Sequence, residues 1–62
     1  MADILIVEDE PSINELMKRT LTMTGHRCCQ AYTGREALRA AKQERPDIVL
    51  LDINLPDMDG FQ

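Results

Sequence analysis

The residues of this sequence best placed to do chemistry are acids that close two aliphatic runs. Ile4-Leu5-Ile6-Val7 leads into Glu8-Asp9-Glu10, and Ile48-Val49-Leu50-Leu51 leads into Asp52. A run of consecutive aliphatic residues without polar alternation points to a strand buried on both faces, the pattern of a parallel sheet. If both runs are parallel strands, their carboxyl ends lie side by side, and Glu8, Asp9 and Asp52 converge. Carboxylates gathered in this way repel by about 3 kcal/mol per close pair at an effective dielectric of about 20. A hard divalent cation offsets that repulsion, and oxygen-only ligands with room for water suit Mg²⁺.

The elements that must position these acids are legible from pattern and punctuation. A first strand is expected from Asp3 to Glu8. A helix follows, opening near Pro11, whose missing N–H costs nothing in a first turn. Ser12 with Glu15 is an alternative capping box. Ile13, Leu16, Met17 and Leu21 recur at helical spacing and predict an apolar stripe against the sheet, and Gly25 sits where a C-terminal cap belongs. Met17 and Met23 need no role beyond packing.

A weaker strand, Arg27 to Ala31, has the polar ends of an edge position. Thr33-Gly34-Arg35-Glu36 reads as a capping box that opens a second helix. This helix is expected to bury Ala37, Leu38 and Ala41 and to break at Arg45, because the residue before Pro46 resists helical geometry. The third strand, Ile48 to Asp52, is the most hydrophobic segment. Asn54, Pro56, Asp57, Asp59 and Gly60 then supply turn formers, and Phe61-Gln62 stands where another helix would begin. The expected fold class is therefore α/β: a β-α-β-α-β unit with a three-stranded parallel sheet, right-handed crossovers, helices on both faces and flavodoxin-like strand order 2-1-3.

Bulk properties narrow the function classes. A chain of 62 residues holds one small domain with a limited core. Its net charge of −4, with Lys18, Arg19, Arg35, Arg39, Lys42 and Arg45 scattered over helices, argues against a nucleic-acid surface. The aliphatic runs are too short to span a bilayer and no basic leader precedes the first. Cys28 and Cys29 are adjacent, so on a strand they face opposite ways; they suit a reducing cytosol and, with His26, make a poor zinc site. His26 is expected at the surface beyond the helix cap. Asp57 and Asp59 lack the spacing and closing Glu of a calcium loop. A cytoplasmic location follows from these features.

Ile4-Leu5-Ile6-Val7-Glu8-Asp9-Glu10 and Leu50-Leu51-Asp52-Ile53-Asn54-Leu55-Pro56-Asp57-Met58-Asp59-Gly60 resemble the two N-terminal motifs of response-regulator receiver domains. The connecting Ala31-Tyr32-Thr33-Gly34-Arg35-Glu36-Ala37-Leu38 and Arg45-Pro46-Asp47 resemble the same family, so the likeness runs the whole chain. It implies that Asp52 is a phosphoacceptor supplied by a histidine kinase or phosphotransfer protein. It also implies that Mg²⁺ is held directly by Asp9 and Asp52, through water by Glu8, and by the backbone carbonyl of Asn54. Receivers are phosphoacceptors and not enzymes in the usual sense, and they run to roughly twice this length. The Ser/Thr and Lys that receivers bring to the phosphoryl group belong to their second half. Residues 1–62 are accordingly expected to be the N-terminal half of a receiver, impaired in the reaction, with the third strand left as an open hydrophobic edge that favours homo-oligomers.

Other classes fit less well. Aspartate-nucleophile phosphatases want an acid two residues after the nucleophile, where this chain has Asn54. Magnesium-dependent nucleases need a basic substrate surface. A non-catalytic interaction module that pairs through its open edge is the principal alternative.

Overall fold

The computed structural model describes residues 1–51. Asp52, Asn54, the turn formers through Gly60 and the anticipated start of a further helix at Phe61-Gln62 lie outside the described residues. Within them the element order is β1 (Asp3–Val7), α1 (Pro11–Met23), β2 (Arg27–Ala31), α2 (Gly34–Glu44) and β3 (Ile48–Leu51). The three strands form one sheet in the order β2-β1-β3, and both pairings are parallel. This is the flavodoxin-like α/β arrangement that the sequence predicts.

Ile4 through Val7 are buried, as expected of the central strand, and strand parity divides them between two layers. Leu5 and Val7 join Ala31 and Ala37 in a core cluster, with Cys29, Ala40, Ala41 and Leu51 packed against it. That layer belongs to α2. On the opposite face Gln30 bonds to α1 through Asn14 and Glu15, so the two helices cover the two sides of the sheet. β3 is as aliphatic as β1 but differently placed: Ile48 and Val49 are 45% and 48% exposed. The residue before it is latched to β1, because Asp3 N–H donates to Asp47 Oδ2 at 2.9 Å and Asp47 N–H donates to the Asp3 carbonyl at 2.7 Å.

Several local expectations need correction. β1 ends at Val7 and not Glu8, although Glu8 N–H still donates to the Ala31 carbonyl at 3.1 Å. The stripe on α1 is not the predicted one. Ile13 and Leu16 are exposed, while Asn14 is fully buried and Met17, Lys18 and Leu21 are half-buried. Positions 14, 17, 18 and 21 are neighbours on one helical face, and Asn14 takes the place nearest the strand ends because carbonyls there need donors. The Ser12–Glu15 box does not form. Glu10 is the N-cap without a side-chain bond, Pro11 opens the helix, and Glu15 accepts instead from Gln30 Nε2 at 3.2 Å.

The close of α1 does follow the reading. Gly25 adopts φ +92°, and the amides of Gly25 and His26 donate to the carbonyls of Thr22 and Leu21, the paired bonds of a Schellman cap. His26 is half-buried, not a surface residue; its Nδ1 accepts from the Ala2 amide at 3.0 Å. In α2 the Thr33 hydroxyl accepts from Glu36 N–H at 3.1 Å, and Glu36 Oε1 reaches back to the Tyr32 amide at 2.8 Å. Ala37 is buried and Ala41 half-buried, but Leu38 is 64% exposed, one position round from the core-facing line. Arg45 caps α2 in the left-handed region at φ 49°, as Pro46 denies it a helical conformation.

Candidate functional site

The register fixes where the acids sit. Val7 is the Cα partner of both Ala31 and Leu51, so the three strands finish together at one edge of the sheet. Glu8-Asp9-Glu10 forms the turn that leaves β1 at this edge and enters α1. Ligands in open α/β sheets bind at this end, where strand order reverses about the first strand. Of the anticipated site residues, Glu8 and Asp9 are therefore placed at the carboxyl edge, and Asp52 and Asn54 fall beyond the described residues.

Glu8 and Asp9 differ in setting. Glu8 is only 8% exposed and its Oε2 accepts from the Glu10 amide at 3.1 Å, whereas Asp9 is exposed. Both offer hard carboxylate oxygens, a donor set that fits Mg²⁺ and not a soft metal. Among the described residues no group of three His, Cys, Asp or Glu side chains is gathered around a metal position.

The residue that pattern reasoning missed is Asn14. Its Nδ2 donates to the carbonyls of Glu8 at 2.9 Å and Ala31 at 3.0 Å, and its Oδ1 accepts from Gln30 Nε2 at 2.9 Å. It therefore ties α1 to the ends of β1 and β2 immediately behind the acidic turn. The available signal was a polar residue in helical phase with Met17, Lys18 and Leu21, which an apolar-stripe count passes over.

The cysteines take no part at this edge. Cys28 and Cys29 are free thiols. Burial, followed by the nearby negative charge of Glu44, raises the pKa of the Cys29 thiol above its ordinary value.

The family profile described as response regulator receiver domain matches residues 4–62. The chain belongs to this family. The receiver is 45% identical over 61 residues to the transcriptional regulatory protein KdpE of Mycobacterium tuberculosis strain H37Rv, covering 98% of this chain and 27% of that protein. It is 42% identical over 62 residues to protein PilH of Pseudomonas aeruginosa, covering all of this chain and 51% of that protein. The receiver thus spans between about a quarter and about half of these relatives' lengths. Among solved structures, the N-terminal domain of a response regulator receiver protein from Methanoculleus marisnigri JR1 superposes with a TM-score of 0.92 at 39% identity, over 98% of this chain and 50% of that one. Among the described residues no helix is long and apolar enough to cross a membrane.

Proposed function

We propose that this chain is the phosphoacceptor module of a two-component phosphorelay, with residues 1–62 forming the N-terminal half of a receiver. The observation that carries the reading is the parallel pairing of Val7 with Leu51, since the residues that follow them in sequence are Glu8 and Asp52. Membership of the receiver family supports the assignment of Asp52 as the acceptor.

In the proposed reaction a carboxylate oxygen of Asp52 attacks the phosphorus of a phosphohistidine on a histidine kinase or phosphotransfer protein. The P–N bond breaks, a P–O bond forms an acyl phosphate, and the imidazole leaves. Such transfers depend on positioning and charge neutralisation more than on covalent help from the protein. Bound Mg²⁺ would neutralise the approaching phosphoryl oxygens, which an aspartate otherwise repels. Asp9, exposed on the turn, suits direct ligation, together with Asp52 and the Asn54 carbonyl. Glu8, buried and already accepting from the Glu10 amide, suits contact through a water. Within these residues the reaction is weak, because the Ser/Thr and Lys of the receiver pattern have no counterpart here. The negative net charge and the lack of a clustered basic surface favour protein partners over nucleic acid, and a cytoplasmic setting fits the reduced cysteines. The exposed β3 edge, with Ile48 and Val49 half-uncovered, favours pairing with a second copy.

Incubation with acetyl phosphate and Mg²⁺, followed by mass spectrometry, tests the reading. A small modified fraction at Asp52 that disappears in Asp52→Asn supports it. No modification at any concentration overturns phosphoacceptance and leaves the non-catalytic pairing module, which the same exposed edge favours.

A further inference from the structure

We propose that Asn14 is a positioning residue for the cation site: it holds the peptide that precedes Asp9, while the Glu8 carboxylate holds the one that follows, so that the Asp9 carboxylate is presented to the metal. This rests on the reading of Glu8 and Asp9 as cation ligands. Asp9 lies between two peptide planes, and each is held by one hydrogen bond. The Glu8–Asp9 plane is fixed at its carbonyl, which accepts from Asn14 Nδ2 at 2.9 Å. The Asp9–Glu10 plane is fixed at its amide, which donates to Glu8 Oε2 at 3.1 Å. Because a peptide unit is planar, orienting its carbonyl or its amide orients the whole unit. With both planes held, the backbone of Asp9 has little freedom and only its side-chain rotamer remains open.

Asn14 is itself anchored. It is 0% exposed, its amide nitrogen also donates to the Ala31 carbonyl at 3.0 Å, and its Oδ1 accepts from Gln30 Nε2 at 2.9 Å. Its own N–H donates to the Glu10 carbonyl at 2.9 Å, which closes the turn from the far side. The Ala31 carbonyl accepts from both Asn14 and the Glu8 amide, so the acidic turn is referenced to β2 and not only to its own strand. A neutral amide suits this role: it offers two donors to two carbonyls and an acceptor to Gln30, and adds no charge beside the acids. Groups that orient metal ligands from behind are usual features of metal sites.

The test is Mg²⁺ titration of the chain by calorimetry, together with amide exchange at Glu10 measured relative to Ile6. The variants are Asn14→Leu, Gln30→Leu and Gly25→Ala, the last destabilising the opposite end of the sheet. Asn14→Leu is expected to weaken Mg²⁺ binding about tenfold and speed relative exchange at Glu10 about tenfold, with Gly25→Ala within about twofold on both. If Asn14→Leu does not fold, Gln30→Leu, which removes only the support of Asn14, is expected to weaken binding about threefold. Equal binding by the Asn14 or Gln30 variant and the unsubstituted chain overturns the positioning role and leaves the cation site standing. An equal loss in Gly25→Ala also overturns it, by reducing Asn14 to general stability. An unsubstituted chain that binds no Mg²⁺ overturns the cation site, and the role of Asn14 with it.

Discussion

Val7 and Leu51 are direct partners in a parallel ladder, and each is the last residue of its strand. The pairing converts two distant stretches of sequence into one edge. The proposed site depends on it, because Glu8 and Asp52 are the residues that follow these two in sequence. Val7 is fully buried and packs with Ala31 and Leu51 in the core layer beneath α2. The edge is thus held by the core cluster.

Both helices close on a residue of positive φ, matched by glycine at one end and not at the other. Gly25 closes α1 at φ +92°, and a Cβ built there meets nothing within 4 Å, so Gly25→Ala costs only the left-handed penalty, about 1–2 kcal/mol. Arg45 closes α2 in the same left-handed region at φ 49° and carries that penalty already. Arg45→Gly relieves it while adding glycine's unfolded-state entropy, for a net gain of up to about 1 kcal/mol. Urea unfolding at constant slope measures both, and the two changes should move the midpoint in opposite directions.

The Cys29 thiol predicts a pH effect. Burial and the Glu44 charge raise its pKa above the ordinary value of 9.0, so the folded chain keeps the proton to higher pH than the unfolded one. Its stabilising contribution is whole below 9.0 and is lost as pH rises through the folded value. Alkylation of Cys29 by iodoacetamide should accordingly be slower in the native chain than in urea at the same alkaline pH, as peptide mapping would show.

The exposed β3 edge predicts self-association. Val49 is 48% exposed on this strand, and a lysine on an open edge opposes strand pairing. Sedimentation should show a dimer or larger species at high concentration, shifted towards monomer in Val49→Lys. A monomeric unsubstituted chain at high concentration contradicts the pairing.

The parts of the fold that were legible share a cause. The strands, the Thr33 cap and the Gly25 close rest on signals local to a few residues: aliphatic runs, a hydroxyl three residues before a glutamate, a glycine after a helix; the strand order follows from the alternation of those elements. The face of α1 was misread because an apolar count assumes that the sheet wants only apolar partners. Near the strand ends it presents the carbonyls of Glu8 and Ala31, and Asn14 answers them, displacing Ile13 and Leu16 outward. Leu38 falls outside for a related reason: Gly34, Ala37 and Ala41 form the covered line of α2, and Leu38 stands one position round from it. Glu8 and Asp9 were identified as a pair, but their contrast in burial came only from the turn geometry.

The most direct measurement of the central claim is paramagnetic broadening of amide resonances by Mn²⁺ substituting for Mg²⁺. A shared cation site predicts selective loss of the Glu8, Asp9 and Asp52 signals, relieved by excess Mg²⁺ and abolished in both Asp9→Ala and Asp52→Asn. Broadening of Glu8 and Asp9 that persists unchanged in Asp52→Asn, or broadening elsewhere on the chain, would contradict the account.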